Sequence, residues 1–72
     1  MEYTVLFHPA EEGGYWAEVP SLPGCYSQGE TIEETTRNIK EAIESHIIAL
    51  KAEGQAVGGD NDFLIGRVRV AA

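Results

Sequence analysis

The sequence has a single cysteine, Cys25, in 72 residues, so no disulfide can form within the chain. Its two histidines, His8 and His46, stand far apart, with no spacing of the zinc-binding kind. No metal or other cofactor is expected. No run approaches the ~20 apolar residues of a membrane span. The N-terminus has Glu2 and no basic stretch leading into an apolar one, so it carries no targeting pattern. The reading is a single domain over 1–72 in the cytoplasm. Lysine and arginine are missing altogether from residues 1–36, which hold seven acids: Glu2, Glu11, Glu12, Glu18, Glu30, Glu33 and Glu34. Residues 37–72 hold five acids and five bases, so the whole net charge of −7 belongs to the first half. That imbalance disfavours gripping a phosphate backbone, which needs Lys and Arg to displace counterions. It suits a basic partner, or simply solubility. A domain this small buries only about 60% of the surface its unfolded chain exposes. With no disulfide or metal, assembly into a homo-oligomer, dimer or tetramer, is the expected further source of stability.

What is present is organised around the stretch from Thr31 to Gly54. Ile32, Ile39, Ala42, Ile43, Ile47 and Leu50 recur at spacings of three and four, which makes one apolar stripe on a helix. Thr31 can cap its start and Glu34 can complete a capping box. Glu33 and Glu34 occupy the first turn, where the dipole favours negative charge. Glu33–Arg37, Arg37–Glu41 and Lys40–Glu44 set opposite charges four apart on the wet side. Gly54 is a natural stop. A helix from Ile32 to Glu53 is about 33 Å long and needs a sheet to cover its stripe.

The flanks supply strands. Glu2 to His8 alternates, with Tyr3, Val5 and Phe7 on one side, and Pro9 is expected to end it. Ala10 to Gly14 is a polar loop turning on Gly13-Gly14. Tyr15 to Val19 is a second strand, Pro20 to Gly24 a stiff turn, and Cys25 to Gln28 a third strand closed by Gly29. After the helix, Asp62 to Val70 reads as a fourth strand, with Leu64, Val68 and Val70 alternating with Ile65, Arg67 and Arg69. The order is β-β-β-α-β, an α+β fold. An antiparallel three-strand meander is expected, with a fourth strand parallel to the first and one helix packed on one face. With Val5, Phe7, Ala17, Val19 and Cys25 toward the helix, the open face shows Leu6, His8, Trp16, Glu18 and Tyr26, with Arg67 and Arg69 beside them. Exposed aromatics on such a face point to a contact surface, or to side chains that merely shield a thin sheet.

Gly13-Gly14-Tyr15-Trp16-Ala17-Glu18-Val19-Pro20, then Leu22-Pro23-Gly24-Cys25, Gln28-Gly29-Glu30-Thr31, Glu34 and Glu41-Ala42-Ile43 resemble the HicB antitoxin family. The match runs in order from the second strand to the middle of the helix. The resemblance implies a partial ribonuclease-H-like fold in a HicB-like domain spanning the chain. It also implies a role: HicB-like proteins pair with HicA, a small basic toxin that cleaves mRNA, and mask its catalytic surface. Members of the family usually carry a C-terminal ribbon-helix-helix or helix-turn-helix segment. The sequence to Ala72 has none, so DNA binding is not carried over, and an orphan with a drifted role is a further reading.

The candidate partner-binding residues are the acids Glu11, Glu12 and Glu18 and the open-face aromatics Trp16 and Tyr26. A nuclease reading of the fold would need carboxylates converging on two metal ions about 3.5–4 Å apart, whereas Thr4, Val5, Leu6 and Phe7 fill the centre of the first strand. No catalytic residue is assigned. Cys25 as a nucleophile would need a base within about 3 Å, and a small buried residue after a tight turn fits it better. His46 reads as a boundary residue of the helix stripe and His8 as the end of a strand. Stacking of single-stranded RNA on Trp16 and Tyr26, helped by Arg67 and Arg69, is the second functional reading.

Overall fold

The structure, a computed structural model, describes residues 1–59 and 64–71. Three strands, β1 (Leu6–Pro9), β2 (Tyr15–Glu18) and β3 (Tyr26–Gly29), precede one helix, α1 (Ile32–Ala52). The strands form an antiparallel meander in the order β1-β2-β3. Phe7 lies opposite Ala17, and Ala17 opposite Ser27, so these three share the face turned to the helix.

Each strand is shifted or shortened against the expected bounds. The first ladder starts only at Leu6, whose partner is Glu18. Beyond Glu18 the second chain leaves the sheet through two successive turns, with Leu22 N–H donating to the Val19 carbonyl at 3.0 Å and Cys25 N–H to the Leu22 carbonyl at 3.0 Å. Residues 2–5 therefore run past the end of β2. Pro9, expected to end the strand, sits in its last rung opposite Tyr15. Gly29, expected to stand just past the third strand, is the last residue of β3. A Cβ at Gly29 would lie 2.7 Å from both the backbone nitrogen and Oγ1 of Thr35, so glycine here lets the sheet meet the helix closely.

The expected fourth strand departs most. Residues 64–70 form no strand and are exposed, while Asp62 and Phe63 lie outside the described residues. Strand pairing is a non-local property, and alternation alone names no partner.

The helix follows its local signals. Thr31 Oγ1 accepts from Glu34 N–H at 3.0 Å. The Glu34 carboxylate reaches back to Glu30 N–H at 2.9 Å, one residue before the cap. At the other end Gly54 takes φ +73. Gln55 N–H bonds the Leu50 carbonyl and Gly54 N–H the Lys51 carbonyl, the paired bonds of a Schellman stop. Among the described residues, none of the three expected charge pairs on the wet side closes to within 4 Å; the side-chain contact inside that limit is His8–Glu18, an ion pair only when the imidazole is protonated.

The core is Ala17, Val19, Leu22, Cys25 and Ile39, with Tyr3, Val5, Phe7, Ala42, Ile43 and Leu50 packed against it. Leu22 enters from the proline-bracketed turn. The helix rests mainly on β3 and then on β2, and Asn38 Nδ2 ties it to the Gln28 carbonyl at 2.7 Å. One sheet face is thus covered and the other left bare.

Candidate protein-binding face

The bare face is built by register. Leu6 faces Glu18 and His8 faces Trp16 across β1–β2. Trp16 faces Gln28 and Glu18 faces Tyr26 across β2–β3. Six side chains, Leu6, His8, Trp16, Glu18, Tyr26 and Gln28, therefore share one surface. Trp16 and Tyr26 are both exposed on it, as is Leu6.

These side chains are ordered by each other. The His8 and Trp16 rings stack with centroids 4.2 Å apart and planes 19° from parallel. Trp16 and Tyr26 lie 6.3 Å apart at a tilt of 53°. His8 Nε2 sits 2.7 Å from Glu18 Oε2. An ionised carboxylate only accepts, so the imidazole donates here from Nε2. The result is an apolar aromatic platform with a carboxylate held at its edge. Such a surface offers ring faces to a cation and a charge-assisted acceptor to a guanidinium or ammonium.

The structure thus brings together Trp16, Glu18 and Tyr26 from the expected set and separates them from Glu11 and Glu12. Those two occupy the β1–β2 turn and are exposed, the turn being closed by Ala10 N–H to the Gly14 carbonyl at 3.0 Å. Glu12 lines a polar recess of about 460 Å3 shared with Glu30 and Glu34 at the helix start. These acids stand outside the six side chains of the bare face, at a recess that Gln28 also lines. No group of three His, Cys, Asp or Glu side chains is placed to hold a metal among the described residues.

His8 stands on the open face as its alternation predicts, and this strand end, expected to carry no chemistry, holds the Glu18 carboxylate and stacks on Trp16. Its place depends on the register set by the Ala10–Gly14 loop, and counting back from that loop would have set it opposite Trp16. Arg67 and Arg69 are not on this face, in contrast to expectation, because residues 64–70 join no sheet. His46 is half-buried on the helix. Cys25 is a free, buried thiol. Burial pushes its pKa up, since desolvation disfavours the thiolate, and a thiol so placed is unreactive. No helix is long and apolar enough to cross a membrane among the described residues.

The chain is similar to known proteins. A family model described as the HicB_like antitoxin of bacterial toxin-antitoxin system matches residues 3–63. A UPF0150 protein of Thermoplasma acidophilum is 46% identical over 61 residues, covering 85% of this chain and 88% of that one. A UPF0150 protein of Synechocystis is 54% identical over 55 residues, covering 76% of this chain and 70% of that one. The crystal structure of the Burkholderia pseudomallei antitoxin HicB matches with a TM-score of 0.70 at 37% identity, covering 79% of this chain. This chain spans only 43% of that antitoxin. With its meander, its single helix and its matched residues, the chain belongs to the HicB-like antitoxin family of bacterial toxin–antitoxin systems.

Proposed function

We propose that the chain is the neutralising partner of a small basic HicA-type mRNA ribonuclease, and that it acts in the cytoplasm by covering that enzyme without chemistry of its own. The observation that carries this reading is the bare sheet face, where Trp16 and Tyr26 stand exposed beside the Glu18 carboxylate. Large aromatics in a contact surface supply most of its binding energy. A carboxylate fixed at their edge selects a basic side chain over an acidic one. The acids of residues 1–36, uncompensated by any Lys or Arg, attract a cationic protein from a distance. The chain is also proposed to work as a homo-oligomer, in keeping with its small size.

The RNA-binding alternative is weaker on the geometry. The six residues of the bare face include no Lys or Arg, and single-strand binders combine stacking with a positive groove. Calorimetric titration against a purified basic HicA-type ribonuclease tests the proposal. Saturable binding at a fixed ratio is expected, with no heat from generic RNA at low salt. Heat with RNA and none with the protein would reverse the ranking.

A further inference from the structure

We infer that residues 64–71 form an exchanged arm, which docks in the apolar groove between α1 and the N-terminal segment of a second copy of the chain. The arm and the groove are both unfilled in one copy. Leu64 is 99% exposed, Val68 88%, Val70 74% and Ile65 67%. Four large aliphatic side chains in seven residues are a poor solvent-facing stretch. The groove, about 320 Å3 in volume, is lined by Tyr3 and Val5 on one wall and by Ile39, Ile43 and Ile47 on the other. It opens where the helix, resting on β3 and β2, leaves the β1 side uncovered. Among the described residues, the outer edge of β1 carries no strand, since β1 ends the sheet order.

Length, charge and position all match. As a strand, the seven residues from Leu64 to Val70 span roughly 20 Å. The groove wall from Thr36 to Ile47 runs along about 17 Å of helix. Placing Leu64, Val68 and Val70 against the isoleucines turns Ile65, Arg67 and Arg69 to the opposite side. The arm carries Arg67 and Arg69 and no acid. Of the chain's net −7 it contributes +2, which leaves −9 on the rest, so the arm is attracted to the body of another copy. After the helix the chain returns to the groove's own edge, where the Tyr3 hydroxyl donates to the Gly58 carbonyl. Arms that start beside the grooves they fit can be exchanged about a two-fold axis placed at that edge.

The second copy is chosen over the chain's own groove because the arm stands off its own body. The radius of gyration is 14.1 Å, against about 11 Å for a compact chain of this length. The exchange gives the self-association proposed above its surface. It needs no toxin, so its test stands or falls apart from the antitoxin reading.

The test uses the full chain. Lys40, exposed and lining the groove, and Val68 are each replaced by cysteine in separate chains. Neither change touches the buried core. The two chains are mixed and oxidised. A covalent dimer joining one K40C chain to one V68C chain is expected, in large excess over self-joined dimers. In the unmodified chain, sedimentation should give a dimer, and Val68→Asp should weaken it tenfold or more with the helical circular dichroism unchanged. A monomeric mass for the parent at all concentrations would overturn the inference. So would an intrachain disulfide in the double variant K40C/V68C with no dimer formed, because the arm would then be filling its own groove.

Discussion

The imidazole of His8 lies flat against the indole of Trp16, with ring centroids 4.2 Å apart. One face of the indole is occupied, and the residue as a whole keeps 36% of its surface exposed. The ring is thereby set at a fixed angle before any partner arrives, so less side-chain entropy is lost on binding. Trp16→Ala should raise the Kd for the basic ribonuclease roughly 30-fold, the loss of about 2 kcal/mol typical of a central aromatic. Its effect on unfolding should stay within about 1 kcal/mol, because Trp16 is outside the core. Surface plasmon resonance and urea melts of the same protein check both. A large stability loss with unchanged affinity would make Trp16 a structural residue.

Glu11 and Glu12 stand in the β1–β2 turn, apart from the aromatic platform, and should act on approach rather than on the bound state. Reversing both to lysine is expected to slow association roughly threefold to tenfold at low ionic strength. The difference should shrink near physiological salt, where the Debye length is about 8 Å. The dissociation rate should change little. An association rate indifferent to both the reversal and the salt would remove these residues from the interface.

At Gly29 the sheet touches the helix, and an added Cβ would fall 2.7 Å from Thr35 backbone nitrogen. Gly29→Ala should cost about 1–3 kcal/mol, as other overpacked sites do. It should also strain the Asn38–Gln28 bond. Gly24→Ala is the control. Its Cβ meets nothing within 4 Å but its φ is +86, so the cost is the left-handed conformation alone, about 1 kcal/mol. Urea midpoints give the ranking, and equal costs would deny the close approach.

Burial holds the Cys25 thiol above its ordinary value of 9.0. The folded chain keeps this proton at pH values where the unfolded chain has released it. The stability it contributes is complete below about pH 9 and is lost as pH climbs through the folded value. Stability should therefore decline from about pH 9 upward, and Cys25→Ala should flatten part of that decline. The difference between the two curves is the readout. Parallel curves above pH 9 would contradict it.

The features legible in the sequence are those whose causes are local. Thr31, Glu34 and Gly54 mark the helix because capping and stopping involve residues a few positions apart. Alternation along Tyr15–Glu18 assigned the faces of β2 correctly, and with them Trp16 and Glu18. Features that depend on distant pairing were not legible. Alternation put His8 on the open face with Trp16 and Glu18, but its stacking on the indole and its contact with Glu18 follow from the hairpin register, and Leu22 reached the core only through the geometry of two tight turns. The alternating stretch from Leu64 looked like a sheet strand because period two is the same whether or not a partner exists. Among the described residues, nothing pairs with it as a strand.

The central claim is that this chain disarms a ribonuclease by occupying it with the face that carries Trp16, Glu18 and Tyr26. The most direct test is to titrate the purified chain into its basic HicA-type partner while following cleavage of a labelled mRNA. The account expects cleavage to fall to baseline at a stoichiometric ratio, and a Trp16→Ala, Glu18→Lys double variant to need at least tenfold more protein for the same inhibition. Cleavage that continues under saturating chain, or RNA turnover by the chain alone with a divalent metal, would contradict it.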